Sequence, residues 1–401
     1  MSSPPYRFSK RNLFLLTCCQ AVGQSANTMM FAATALSVVS FMSRRDLANL
    51  PLTMQHLGVM LSVFPASMLM QRMGRKFGFR VGSLFGMAGA ACCGFGLLTA
   101  TFWLMCLGGV ILGYAVANLQ MYRFAAVELA PPEMRAKAIA WVTAGGMISG
   151  MIGPMVVRLT FDRWVPLYIG TYAAMIGVHI VVITIMSFID FPAPPKPVAA
   201  ERPMEPARPL LEIAAQPKFI GAVVAGMVAY GTMSFLMSAS PLAIVGCGLA
   251  PTEAQWVIFL HVMGMFAPSF FTGNLIQRFG VTTIMMLGIA LLLTGVTIGI
   301  AGVTAWNFRL ALMCNGIGWN FLFVGATTLV TTTYRPSERG KAQALNDFLI
   351  FGTTATASFF AGFLQDHMGW VPLNWFSLIL VVTAIPAVVW LRVSTRRTAL
   401  A

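Results

Sequence analysis

Charge is scarce in this chain of 401 residues: 9% of positions are charged, only 12 are acidic and four are histidine. So small a charged complement is far from the composition of a soluble domain. No histidine and acidic residue stand at catalytic spacing in a soluble segment, and no Gly-x-x-x-x-Gly-Lys-Ser/Thr loop is present to cradle a nucleotide's phosphates. Enzyme chemistry and an ATP motor are therefore not expected, nor is a bound cofactor. The seven cysteines give no disulfide framework, because Cys18, Cys19, Cys92, Cys93, Cys106 and Cys314 all fall in apolar runs. Only Cys247 lies near a surface, where it is expected to be a free thiol.

What the chain has instead is apolar length: 58% of residues are hydrophobic and the mean hydropathy is +0.78. Stretches long enough for a helix to cross the hydrocarbon core, about 20 residues, recur throughout. They predict twelve membrane helices over 12–42, 51–70, 77–100, 102–124, 137–159, 165–190, 217–244, 254–276, 281–303, 305–330, 340–364 and 370–391. The first run is too long for the apolar region of a cleaved signal peptide, roughly 7–15 residues, and is expected to be retained. The fold class is an all-α membrane protein.

The net charge of +14 does not point to nucleic acid, because the basic residues form no single stripe with interleaved aromatics. They occupy alternate loops. With the N-terminus in the cytoplasm, 21 of the 26 lysines and arginines fall on that side; Arg44, Arg45, Arg158 and Arg163 fall outside, and Arg309 near the start of the tenth helix. The positive-inside rule then predicts both termini of this multi-pass protein in the cytoplasm.

One long polar connection, 191–216, carries Pro192, Pro194, Pro195, Pro197, Pro203, Pro206 and Pro209, a density that keeps a segment out of a packed core. It divides the chain into a six-helix half at 1–190, a cytoplasmic linker at 191–216 and a second six-helix half at 217–401. The halves repeat one another locally. Ser67-x-x-x-Gln71-Arg72-x-Gly74 matches Gly273-x-x-x-Gln277-Arg278-x-Gly280. Pro132-x-x-Arg135-x-Lys137-Ala138 matches Pro336-x-x-Arg339-x-Lys341-Ala342.

With these motifs the chain resembles the major facilitator superfamily over nearly its whole length. Ser67, Gln71, Arg72, Gly74, Arg75 and Lys76 are similar to that family's signature Gly-x-x-x-Asp-Arg-x-Gly-Arg-Lys, with Ser67 and Gln71 as departures, so the charge of the family's aspartate is absent. Gly145, Gly146, Ser149, Gly150, Gly153 and Pro154 partly resemble an exporter motif, but small residues also serve close helix packing. Gly109 stands about where drug exporters carry an embedded arginine. The resemblance implies two pseudo-symmetric halves and alternating access.

Soft donors form the sharpest candidate site. Met233-x-x-x-Met237 and His261-x-x-x-Met265 place each pair on one helix face, on consecutive antiparallel helices. At the rise of about 1.5 Å per residue, Met237 matches His261 in depth and Met233 matches Met265. Thioethers and imidazole with no carboxylate nearby favour Cu(I) over Mg, Ca or Mn. Met-x-x-x-Met is weak by itself in a chain with 28 methionines, where flexible packing is the ordinary role. His-x-x-x-Met is rarer, and its second occurrence, His56 and Met60, lies at the equivalent place in the first half as a candidate secondary metal station. A methionine stripe at Met147, Met151 and Met155, and the pair Cys18 and Cys19, are weaker candidates. Asp347, with Asn346, is the candidate for proton coupling.

Those four positions in a twelve-helix facilitator resemble the CcoA-type copper importers. That resemblance implies Met233, Met237, His261 and Met265 as copper ligands, and copper import into the cytoplasm for assembly of a copper-containing cytochrome oxidase. The expected partners are copper as transported substrate, membrane lipids, a periplasmic copper donor and a cytoplasmic acceptor, with the chain monomeric. A different reading stays open. Gln20, Gln24 and Asn27 on the first helix, with Tyr230, Asn315, Trp319 and Asn320, suit a neutral planar organic solute such as riboflavin.

Overall fold

The computed structural model describes residues 10–131, 134–191, 208–335 and 338–400. Most of the proline-rich linker, 192–207, lies outside them. Helices account for almost all of the described chain: α1 (Lys10–Val39), α2 (Leu50–Met73), α3 (Arg75–Leu98), α4 (Phe102–Gln120), α5 (Tyr122–Leu129), α6 (Arg135–Thr160) and α7 (Ile169–Ser187), then the short α8 (Leu210–Ala214). The second set comprises α9 (Pro217–Gly246), α10 (Pro251–Phe266), α11 (Ser269–Phe279), α12 (Val281–Ala301), α13 (Ala305–Val330), α14 (Arg339–Met368), α15 (Trp370–Val382) and α16 (Ala384–Leu400). A short 3-10 turn, Arg45–Leu47, precedes α2.

Among the described residues, ten helical segments are long and apolar enough to cross a bilayer, and α10 with α11, bent by 41°, make an eleventh. The sequence predicts twelve, and α1 is the difference. Its 30 residues would extend about 45 Å, but Gln20, Gln24, Ser25, Asn27 and Thr28 dilute its apolar character. It packs against α6, α7, α9 and α10, so its polar face turns towards protein rather than lipid.

Three predicted spans are broken. The fourth splits between α4 and α5 at Met121, the eighth between α10 and α11 at Ala267 and Pro268, and the twelfth at Thr383. At the eighth, Pro268 has no N–H to give the preceding turn. The freed backbone is served from α13, where Asn320 donates to the Met265 carbonyl at 2.7 Å.

The internal repeat reappears in backbone geometry. Gly74 ends α2 and starts α3 at φ 87°, ψ 159°, while Gly280 ends α11 and starts α12 at φ 84°, ψ 148°. Left-handed φ at both places is what glycine permits at no steric cost. In the first of these turns Arg75 pairs with Glu128 on α5 at 2.7 Å, and Lys76 donates to the Ser187 carbonyl at 2.8 Å. The basic turn is thus anchored to its own half by groups other than residue 71, whose side chain lies outside the described residues.

The two sets of helices meet through α2 against α14, α6 against α10 and α1 against α9. Gly146 and Gly150 on α6 make the second of these contacts close, since a Cβ there would meet Phe266 and Val262 of α10. Packing through small residues is therefore what this part of the exporter-like motif does here.

At the end of the linker Glu338, its side chain fully buried, accepts hydrogen bonds from Arg208 Nε and Nη2 at 2.8 and 2.7 Å and from the Arg335 N–H at 2.9 Å. The Arg208 guanidinium, first among these, holds the carboxyl well below the usual carboxylate range. A depressed carboxylate stabilises the fold above its unfolded value, about 4.3, and that stabilisation is lost as pH falls towards the folded value. Glu338→Gln should therefore melt about 2 °C or more below wild type at pH 7, with the gap narrowing in acid below the unfolded value. A gap that stayed constant into acid, in thermal melts of the solubilised protein, would contradict this role.

Candidate substrate cavity

A cavity of about 690 Å³ lies between the two helix sets, within the range of roughly 300–1,000 Å³ typical of small-molecule sites. One wall comes from α1, α2 and the α4–α5 break, which contribute Gln20, Gln24, Asn27, Gln55, His56, Gln120 and Arg123. The helical spacing of Gln20, Gln24 and Asn27 puts the three amides on one face of α1. The facing wall comes from α9, α10, α11, α13 and α14, with Tyr230, Met233, Met237, Met265, Phe266, Trp319, Phe323 and Phe351.

The second wall is an ordered aromatic cluster. Trp319 and Phe323 lie nearly parallel, centroids 5.2 Å apart and 16° between planes. Tyr230 stands edge-on to both, at 5.2 and 4.8 Å, and Phe351 meets Tyr230 at 5.8 Å. Such offset and edge-to-face contacts fix the rings and leave π-faces for a ligand.

The polar atoms of the cavity divide into committed and uncommitted sets. Asn320 is committed: besides the Met265 carbonyl it donates to Ser269 Oγ and accepts from Thr272 Oγ1, both at 2.7 Å. Gln20 Oε1, Gln55 Oε1, His56 Nδ1, Arg123 Nε and Trp319 Nε1 are buried without a hydrogen-bond partner. These five atoms have no partner within the protein and are therefore free to bond a polar cargo. Asn315, also expected in the cavity from sequence, is buried and is not among the lining residues.

The soft donors are only partly brought together. Met233, Met237 and Met265 line the cavity, and so does His56. His261 does not: it is completely buried, and its Nδ1 lies 2.7 Å from the Leu312 carbonyl on α13. Met60 is likewise absent from the lining and packs with Val59 and Phe351. Periodicity alone assigns a residue to a helix face, while the neighbouring α13 decides which face meets the cavity. Met151 and Met155 are more than half exposed on α6, which is lipid-facing packing. Cys19 is buried and Cys18 partly so, and neither lines the cavity. Among the described residues no three histidine, cysteine, aspartate or glutamate side chains converge to hold a metal, so a soft ion here would rest on the three thioethers and His56.

Asp347 accepts from Asn346 Nδ2 at 3.0 Å. It faces a second, much smaller cavity together with Gln120, Arg123, Tyr230, Phe323 and Phe351. Sequence reasoning counts Arg123 as a loop cation, whereas the structure places it in both cavities. Its position at the end of an apolar run, between Tyr122 and Phe124, is the available signal.

The cavity opens on the face that carries the N-terminal end of α1. Its lining residues there, Asn274, Gln277, Thr328 and Thr331, are exposed, while Met233, Met237 and His56 deeper inside are buried. The far face is shut. Asn49, just before α2, donates to the Ser238 carbonyl of α9 at 3.0 Å, and Gly362 of α14 packs against Asn49 so closely that a Cβ would come within 3.0 Å of its Cβ.

The sequence profile of the Major Facilitator Superfamily matches residues 13–246 and 222–400. The chain is 38% identical over 387 residues to the riboflavin transporter RfnT of Brucella anthropi, covering 96% of each chain. It is 26% identical over 397 residues to YddS, an uncharacterised transporter of the same type from Bacillus subtilis, covering 95% of this chain and 91% of that one. In structure it resembles the transporter FucP in its outward conformation, with TM-score 0.63, 16% identity, and coverage of 95% of this chain and 97% of that one. At that identity the likeness concerns the fold.

The closed far face predicts a specific wedge effect. Gly362→Leu should hold the far face open and thereby close the terminal face, lowering severalfold the labelling of a cysteine placed at Thr328 in a cysteine-free background. Unchanged labelling would show that Gly362 does not limit the closure.

Proposed function

The chain belongs to the Major Facilitator Superfamily, and from that premise we propose that it imports a neutral, planar organic solute of the flavin type, riboflavin, by alternating access across the bacterial inner membrane. It is a multi-pass membrane transporter and not an enzyme. The observation that carries the flavin reading is the pairing of an aromatic wall, Tyr230, Trp319 and Phe323, with an opposing rim of amides in one cavity. A tricyclic ring offers a wide π-face to such a wall; its carbonyl and ring nitrogen atoms suit the Arg123 Nε–H donor opposite, and its imide N–H suits an acceptor such as Gln20 Oε1 or Gln55 Oε1. The size of the cavity and the name borne by the relative from Brucella anthropi support the same reading.

In this reading the terminal face is cytoplasmic, in keeping with the alternate-loop placement of lysine and arginine. The cargo enters when the far face is open, bridges the two walls, and leaves when the Asn49 and Gly362 contacts have re-formed. A site at the interface of the two halves is where rocking changes contacts most.

Copper import is the second reading, supported by Met233, Met237 and Met265 converging with His56 on the cavity. Thioethers bind Cu(I) without proton competition and release it readily, which suits a carrier. Under this reading a periplasmic donor and a cytoplasmic acceptor complete the route, and His261 acts as a ligand only after its ring leaves the Leu312 carbonyl.

Uptake in cells separates the two. The flavin reading expects the gene to rescue a riboflavin auxotroph. Trp319→Leu or Tyr230→Leu should cut uptake about tenfold, from stacking worth roughly 1–3 kcal/mol per ring. The double change Met233→Leu with Met237→Leu should alter riboflavin uptake less than about twofold. Gene-dependent copper accumulation abolished by the methionine changes, with no riboflavin rescue, would replace the first reading by the second.

A further inference from the structure

Arg123 is the one charged residue among the described residues that line the main cavity. It is the second residue of α5, immediately beyond the break in the fourth span, and its guanidinium stands 5.0 Å from the Phe124 ring centroid. Tyr230, Phe323 and Phe351 of the aromatic wall also line the small cavity to which Arg123 and Asp347 contribute from opposite helix sets. A ring lying on that wall would therefore present one edge to Arg123. Its Nε–H is buried and has no hydrogen-bond partner. An arginine at membrane depth is rare and marks a functional position by default.

We propose that Arg123 is the specificity-determining residue of the cavity. Its planar fork donates to a pair of adjacent acceptors, a ring nitrogen and a carbonyl oxygen, on the edge of the planar cargo. Asp347, which lines the small cavity from the other helix set, is the positioning residue whose carboxylate attracts the fork across that cavity. The same fork reads the ring nitrogen and carbonyl oxygen of guanine in DNA recognition, where geometry rather than net charge makes the contact selective. The cargo class is thereby narrowed to fused heteroaromatics carrying such an acceptor pair, and a saturated tail such as a polyol lies elsewhere in the cavity. This rests on the flavin reading of the same site.

The test is quenching of flavin fluorescence on binding to the purified protein in lipid nanodiscs, with riboflavin and with lumiflavin, which keeps both ring-nitrogen and carbonyl acceptor edges and lacks the polyol. Arg123→Gln should weaken both ligands by the same factor, about tenfold or more. Arg123→Lys, which keeps the charge and loses the fork, should fall between Gln and wild type, and it keeps the test valid should the Gln variant melt early. Asp347→Asn should weaken binding in the wild type and add nothing in the Arg123→Gln background. Affinities within twofold of wild type in both Arg123 variants would overturn the proposal. So would loss of riboflavin binding alone, absence of lumiflavin binding to the wild type, or additive effects of the Asp347 change. Failure of the wild type to bind riboflavin would instead overturn the flavin reading itself, and this inference with it.

Discussion

A polar side chain can sit within the apolar thickness of a bilayer only where protein or an internal cavity replaces lipid around it. That constraint orders the rest of this molecule. The amides of α1 force the helix into the interior, against partners from both helix sets. Outward surfaces are left to phenylalanine, tryptophan, methionine and isoleucine, as at Phe14, Trp103, Met151 and Ile379. The cavity is the place where the inward polar faces meet without cancelling one another. Five polar atoms there have no partner within the protein, which leaves them for cargo to bond.

Rigidity and mobility are divided in keeping with that role. Asn320 is fully occupied in bracing the break between α10 and α11, so the aromatic wall beside it is held in one arrangement. Glycine contacts between α2 and α4 are tighter still, since a Cβ at Gly58 or Gly109 would meet backbone carbonyls of Val110 or Pro51. At the far face the sets meet through one hydrogen bond from Asn49, a close glycine approach at Gly362 and packing of the turn Arg45–Leu47 against α14. Two well-packed bodies joined by a lightly bonded seam can exchange one closed face for the other at modest cost.

Much of this was legible in the sequence, and what was not has identifiable causes. Apolar length located the spans, and the paired loops at Gly74 and Gly280 announced two turns with the same left-handed glycine geometry. The breaks at Met121 and Thr383 carried no strong signal, and Pro268 was hidden inside a continuous apolar run. At the site, the spacing of Gln20, Gln24 and Asn27 correctly grouped three cavity residues, and Tyr230 and Trp319 were rightly placed beside them. His261 illustrates the limit. Its four-residue spacing from Met265 is compatible with a shared face, but α13 captures the imidazole through the Leu312 carbonyl, a tertiary contact that no local pattern encodes. Arg123 illustrates the converse, because a cation near a predicted helix end reads as loop charge until the break at Met121 is seen to turn it inward.

An aromatic wall facing an amide rim should select a flavin over a soft metal ion. Flux of radiolabelled riboflavin into vesicles reconstituted with the purified protein measures this with no other cellular component present. Saturable riboflavin entry above that of empty vesicles, competed by unlabelled riboflavin and indifferent to added Cu(I), is the result expected. Riboflavin flux equal to that of empty vesicles, with copper carried across by the same preparation, would contradict it.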